Sequence, residues 1–272
     1  MQIQFFVPHW GSEDISYTQF LHRASDDGYD GVEMILPNDA EDYREVQQGL
    51  ADTGLSLIAH VGGPLAGENF EESIENYLSQ VRYACQSGAK LANFQTGRDY
   101  YSIEQNEAFI SGANSIGDEF GVKVLHETHR SKFSFAAHVT QQYLERNSDL
   151  RITADFSHWC CVAESLLEDQ QDAVDLAISR ADHIHARVGF AQGPQISTVT
   201  DQYFSSELNT HLAWWDAILD ARKNAGAEIT TITCEFGPLP YMPATANPVQ
   251  PVADQWNTNL AMKEILSKRY RN

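Results

Sequence analysis

Basic residues are scarce in this chain. Its 272 residues include 18 Lys and Arg against 38 Asp and Glu, which gives a formal net charge of −20 at pH 7. A protein that binds a phosphate backbone needs a basic surface, so this balance argues against nucleic acid as a partner. An acidic surface instead favours solubility.

Long hydrophobic runs are also missing. No apolar stretch approaches the roughly 20 residues that a helix needs to span a bilayer. The start of the chain, Met1 to Phe6, lacks the basic segment that opens a secretory signal peptide. We therefore expect a soluble, cytoplasmic protein with no membrane partner.

Cysteine is rare and shows no metal-binding spacing. The chain contains neither a C-x-x-C pair nor a zinc-finger pattern. This composition favours small buried thiols in a reducing compartment. The four cysteines are Cys85, Cys160, Cys161 and Cys234.

Short apolar runs alternate regularly with helix-like segments along the whole chain. Eight such units in 272 residues average 34 residues each, which predicts a single α/β domain over residues 1–272, a closed (β/α)8 TIM barrel with a parallel eight-stranded core. The alternative is an open doubly wound sheet, which usually carries a Gly-rich turn after its first strand. Here that turn reads His9-Trp10-Gly11-Ser12. The predicted strands are residues 3–8, 31–36, 55–61, 91–94, 122–125, 152–156, 184–188 and 229–234.

Four residues that can bind a metal follow one another at the ends of predicted strands five to eight. They are separated by 28, 30 and 50 residues, about one unit each except where a long loop follows strand seven. Working residues of such barrels lie at the carboxyl ends of the strands, and neighbouring strands are only about 4.8 Å apart. The alternative is four unrelated polar residues at strand ends. The four residues are Glu127, Asp155, His185 and Glu235.

Three carboxylates and one imidazole suit one divalent ion, Mn²⁺, Mg²⁺, Co²⁺ or Zn²⁺, with positions left for water. Such an ion acts as a Lewis acid on a carbonyl and an adjacent hydroxyl, and it stabilises the cis-enediolate that forms when the neighbouring proton leaves. Glu127 and Glu235, three units apart around the ring, could then act as base and acid. This chemistry gives epimerisation or aldose–ketose isomerisation of a small sugar.

The motif Asp155-x-x-His158, with Glu127 before it and His185 and Glu235 after it, resembles the xylose isomerase-like TIM-barrel superfamily. Within that superfamily the chain is most similar to the sugar phosphate isomerase/epimerase branch. The segment Gly28-Tyr-Asp-Gly-Val-Glu33 is a common form of that branch's second strand. The resemblance covers nearly the whole chain and is more specific for the metal site than for the substrate.

The resemblance implies a role for each candidate residue. Glu127, Asp155, His185 and Glu235 would hold the metal, and the two glutamates would transfer protons. His158 would contact a substrate oxygen, and Arg187 a substrate hydroxyl or carboxylate. Glu33 and His60 would complete the pocket. Trp10 would stack on a sugar face, with core or lid packing as the alternative.

Three other functions remain open at this point. Endonuclease-type DNA repair uses the same barrel, but it needs further histidines on strand four and after strand seven, where this chain has Gln95 and Asp201-Gln-Tyr203. A lyase that dehydrates a keto-polyol would begin with the same proton abstraction. A non-catalytic sugar-binding barrel is the third alternative. Many barrels of this type are dimers or tetramers, so the resemblance also allows a homo-oligomer.

Overall fold

The computed structural model describes residues 1–271 and contains a closed barrel of eight parallel strands. Each strand pairs with the next along the chain, and the last strand pairs with the first. The predicted (β/α)8 barrel is therefore confirmed. The strands are Gln2–Pro8 (β1), Gly31–Met34 (β2), Ser56–Val61 (β3), Leu91–Phe94 (β4), Lys123–Glu127 (β5), Ile152–Ala154 (β6), Ala181–His185 (β7) and Ile229–Thr233 (β8).

Helices cover the outside of the barrel. Several begin at a side chain that caps the first turn: Ser16 and Ser102 form capping boxes, and Asp254 accepts from the Asn257 amide as expected from the sequence. The helices are Tyr17–Asp26 (α1), Ala40–Thr53 (α2), Phe70–Cys85 (α3), Ile103–Phe120 (α4), Ala137–Arg146 (α5), Ser157–Ala163 (α6), Gln171–Arg180 (α7), Ser205–Asn224 (α8) and Gln255–Tyr270 (α9).

The structure differs from the prediction mainly in the loops above the barrel. The short helix α6 starts after only two residues beyond β6, and its seven residues are too few for a periodic pattern. Helix α8 begins at Ser205, so the predicted cap at Thr210 lies inside the helix. Strand β7 begins three residues earlier than predicted, at Ala181. The Pro-rich loop after β8 contains an antiparallel hairpin, Ala244–Ala246 (β9) with Val249–Pro251 (β10).

Side chains alternate along the strands between the barrel interior and the helices. His126 points outward, where its Nε2 lies 3.0 Å from Asn114 Oδ1 on α4. Ile184 and Ile232 also point outward, as the alternation of side chains along a strand requires, and both are fully buried. This leaves Glu127, His183 and His185 on the inner face. None of the described helices is long and apolar enough to cross a membrane.

The amino-terminal end of the barrel contains a buried ion network centred on Asp182. Its side chain is only 3% exposed and lies 2.5 Å from Lys123 Nζ and 2.5 Å from Arg222 Nη1. Arg151 donates to both of its oxygens. Burial raises the pKa of Asp182, but the hydrogen bonds from Arg151 and Lys123 outweigh burial and hold the pKa below its usual value.

Replacing Asp182 with Asn should lower the free energy of unfolding by about 2 kcal/mol at pH 7, because three cations lose their counterion. The Asp182 pKa is lower in the folded protein, so its contribution is complete above about pH 4 and disappears as the pH falls further. The difference in the free energy of unfolding between the original protein and Asp182→Asn, measured by urea unfolding, should therefore become smaller in acid. Asp14→Asn, at an exposed position, is the control, and an equal effect of both changes would contradict the prediction.

Candidate metal centre

The structure brings the four predicted metal-binding residues together at the carboxyl end of the barrel. Glu127 and His185 are the last residues of β5 and β7, Asp155 follows β6 directly, and Glu235 lies two residues beyond β8. One ligand atom from each lies within 4.8 Å of the others. All four side chains are buried, with Glu235 the most accessible at 8%.

Several atoms of this cluster are buried without a hydrogen-bond partner within residues 1–271. They are both carboxylate oxygens of Glu127, Oε2 of Glu235 and Nδ1 of His185. His185 Nδ1 lies 2.7 Å from Glu235 Oε2 and 3.7 Å from Glu127 Oε1. The shorter contact lacks hydrogen-bond geometry, so these atoms converge on one point. Because buried polar atoms normally have partners, this donor set fits a divalent cation.

Glu33 lies beneath the cluster and contacts the other nitrogen of His185. His185 Nε2 is 3.0 and 3.1 Å from the two Glu33 oxygens. The Asn93 amide donates to the same carboxylate over 2.8 Å, and the Thr233 hydroxyl over 2.5 Å. This arrangement places the Nε2 proton toward Glu33 and directs Nδ1 to the metal-binding cluster. Glu33 was predicted from the sequence as a pocket residue, and these partners already engage both of its oxygens.

The charges of Glu33 and His185 stabilise one another. Burial raises the pKa of Glu33, but the neighbouring His185 imidazole and hydrogen bonds from His183, His185 and His60 hold the pKa well below its usual range. Burial lowers the pKa of His185, and the carboxylates of Glu235 and Glu33 more than reverse this effect. The two charges thus favour the ionised form of Glu33 beside the His185 imidazole.

Asp155 belongs to a second buried group, with Ser157, His158 and Arg187. Arg187 is 1% exposed and donates to Asp155 and, over 3.1 Å, to the Ser157 hydroxyl. Burial raises the pKa of Asp155 to about 6 against the opposing charge of Arg187. Arg187 Nη2 also lies 2.8 Å from His158 Nε2, which accepts the hydrogen bond. His158, fully buried, thus contacts Arg187.

A cavity of about 370 Å³ opens above the metal-binding cluster. Four of the five predicted substrate-binding residues line it: Trp10, Glu33, His60 and Arg187. His158 does not line it. The cavity walls also include residues that the sequence pattern did not indicate. These are Pro8, His9, Glu13, Met34, Ile35, Gly63, Gln95, His129 and Tyr241.

Tyr241 shows how the loop after β8 closes one side of this cavity. Its ring lies 4.9 Å from Trp10 in an edge-to-face arrangement and 4.8 Å below the Arg187 guanidinium. Trp10 in turn packs on Gly237, where an added Cβ would lie 2.1 Å from the indole. Only glycine fits this contact. The signal available in the sequence was the position of the loop, directly after a barrel strand.

A family model described as the xylose isomerase-like TIM barrel matches residues 21–246 of this chain. The chain belongs to this family. No curated protein sequence matches it significantly.

Solved structures of other xylose isomerase-like and related barrels share the fold at low sequence identity. D-allulose 3-epimerase from Methylomonas sp. is 13% identical, with a TM-score of 0.67 over 99% of this chain and 98% of that one. A probable 3-DHS dehydratase from Bacillus anthracis is 16% identical, with a TM-score of 0.58 over 99% and 100%. Endonuclease IV from Thermus thermophilus is 13% identical, with a TM-score of 0.57 over 98% and 100%. Three different reactions thus use this fold, so function has to be argued from the site.

In this xylose isomerase-like site, Glu33→Gln should weaken Mn²⁺ binding about 10- to 100-fold, because a neutral amide supports the His185 imidazole less well than a carboxylate. Equilibrium dialysis followed by elemental analysis measures the affinity, and circular dichroism checks the fold. Glu13→Gln is the control, since Glu13 lines the same cavity while its carboxylate accepts from the Gly11 amide. Equal Mn²⁺ affinity of both variants would remove Glu33 from this role.

Proposed function

We propose that the protein is a divalent-metal-dependent isomerase or epimerase that acts on a small ketose or a related α-hydroxy carbonyl compound. One observation carries the proposal. Glu127 and Glu235 both line the cavity, and buried oxygens of both, without hydrogen-bond partners in the described chain, lie 3.7 and 2.7 Å from His185 Nδ1. Two such carboxylates beside one cation site suit proton transfer on a bound sugar.

Glu127, Asp155, His185 and Glu235 would hold a single Mn²⁺, Mg²⁺, Co²⁺ or Zn²⁺ ion. When bound, that ion would supply Lewis-acid polarisation of a carbonyl and its neighbouring hydroxyl. Asp155 is fixed by Ser157 and Arg187, and His185 by Glu33. These two residues would serve as holders of the metal, while the glutamates would also act on the substrate.

The proton steps belong to the two glutamates. One carboxylate would remove the proton from the carbon beside the carbonyl, giving an enediolate of the sugar, and the other would return a proton. Return to the opposite face of the same carbon gives an epimer. Return to the neighbouring carbon exchanges the aldose and ketose forms. Both outcomes conserve atoms and need no redox partner.

The remaining cavity residues would bind and orient the sugar. Trp10 and Tyr241 present aromatic surface, which suits the C–H face of a sugar ring. Arg187 reaches the cavity beside Glu235, 3.5 Å away, and would donate to a substrate oxygen. His60 also lines the cavity and would contact the sugar. His158 would act on the substrate through Arg187, whose guanidinium it contacts.

Three observations favour a sugar over DNA as the substrate. The epimerase from Methylomonas sp. was solved in complex with D-allulose, so a barrel of this shape can accommodate a ketose. An endonuclease is less favoured because Gln95 stands on the cavity wall at strand four, with its amide oxygen accepting from the Gly63 amide. The net charge of −20 also opposes binding to DNA.

Solvent-deuterium incorporation tests the proposal directly. Ketoses incubated in D₂O with Mn²⁺-loaded protein should gain deuterium at the carbon beside the carbonyl, as measured by NMR. The same spectra would reveal a dehydrated product if the protein is a lyase. Absence of both exchange and bound metal, by elemental analysis, would rule out the proposed function and favour a non-catalytic barrel.

Glu235→Gln should lower the exchange rate about 10²- to 10⁴-fold, because the amide cannot carry the proton. The barrel should remain folded, since an amide of the same size replaces the side chain. Glu228→Gln is the matched control, because Glu228 is the same residue type at an exposed position directly before β8. Exchange at the control rate in Glu235→Gln would contradict its assignment to proton transfer.

A further inference from the structure

The loops that usually bind phosphate in barrels of this type have their amides already engaged. Such barrels bind phosphate with backbone N–H groups of the loops after strands seven and eight. In this chain the Gly237 amide donates to Gln195 Oε1 over 2.7 Å, and the Phe236 amide to Asn259 Oδ1 over 2.7 Å. The Gly189 amide donates to His211 Nε2 over 3.2 Å. All three acceptors are buried side chains of the protein itself.

Two glycine amides in the loops after β1 and β3 are engaged in the same way. The Gly63 amide donates to Gln95 Oε1 over 3.0 Å. The Gly11 amide donates to both oxygens of Glu13, over 3.1 and 2.9 Å. Gly63 and Glu13 both line the cavity. Glu13 therefore occupies an amide that could have bound an anion and places a negative charge at the same point.

The side chains of the cavity wall repeat this pattern. Arg187 is the single Lys or Arg among the described residues that line the cavity, and it is bound to Asp155. Two further cations lie behind wall residues and are already engaged: Lys132 Nζ donates to the Gly63 carbonyl over 2.6 Å, and Arg130 stacks on the Tyr241 ring at 4.7 Å. The wall contains four carboxylates: Glu13, Glu33, Glu127 and Glu235.

We propose that this site takes an unphosphorylated, uncharged sugar, and that Glu13 excludes sugar phosphates. The inference rests on the proposed function for the reaction, and it narrows the substrate class. A terminal phosphate would add about two negative charges beside the Glu13 carboxylate, at a wall whose glycine amides are already bonded and whose arginine is paired with Asp155. A neutral sugar needs only hydroxyl contacts and the apolar surface of Trp10, Met34 and Ile35, which the wall offers.

Calorimetric titration of Mn²⁺-loaded protein tests the substrate class without requiring turnover. The ligands are D-fructose, D-allulose, D-tagatose and D-sorbose, each as the free sugar and as the 6-phosphate, together with inorganic phosphate. We expect at least one free ketose to bind ten-fold or more tightly than its phosphate, and no binding of inorganic phosphate at the same concentrations. Equal or tighter binding of the phosphates, or no binding of any free ketose, would overturn the proposal.

The two experiments distinguish failure of the proposed isomerase activity from failure of the proposed substrate class. A free ketose that binds selectively but shows no deuterium exchange would leave the substrate class intact and disprove the isomerase. Conversely, exchange that is faster with a 6-phosphate would support the isomerase and disprove the substrate class.

A substitution at Glu13 tests whether this residue excludes sugar phosphates. Glu13→Lys should raise the affinity for the 6-phosphate relative to the free sugar at least ten-fold, because it removes the carboxylate, frees the Gly11 amide and adds a cation. Glu75→Lys, at an exposed position on α3, makes the same charge change away from the cavity and should leave the ratio unchanged. An unchanged ratio in Glu13→Lys, or an equal change in both variants, would show that Glu13 does not select the substrate.

Discussion

A single buried carboxylate orders the carboxyl end of this barrel. Glu33 is 3% exposed, and an ionised carboxylate at that depth is stable only when its oxygens are fully paired. Asn93 on β4, His183 and His185 on β7 and Thr233 on β8 supply those partners. These contacts fix the ends of the strands around Glu33 and orient the His185 imidazole toward the other residues of the candidate metal centre.

Much of this arrangement could be predicted from the sequence, because a parallel barrel converts spacing along the chain into proximity. Once eight βα units are recognised, residues at the ends of strands five to eight must face one point. Period-two alternation then separates inner from outer side chains, as it does for Glu127 and His126. The convergence of Asp155, His185 and Glu235 with Glu127 needed no further information.

The contacts that could not be predicted depend on side-chain direction and loop path. His158 follows Asp155 at the spacing of the expected motif, yet it lies behind the cavity wall because α6 turns its ring toward Arg187. Tyr241 enters the wall from a loop whose shape has no periodic signature. Glu13 and Gln95 accept from nearby backbone amides, and such pairings appear only once the loops are placed in space.

The contact between Trp10 and Gly237 joins loops that follow the first and last strands of the barrel. The cavity wall therefore consists of segments more than two hundred residues apart, and it cannot exist until β8 has docked beside β1. A chain still on the ribosome would carry an unpaired β1 edge and an incomplete cavity. A ligand bound in this cavity would therefore favour the closed barrel and stabilise the protein against opening between β1 and β8.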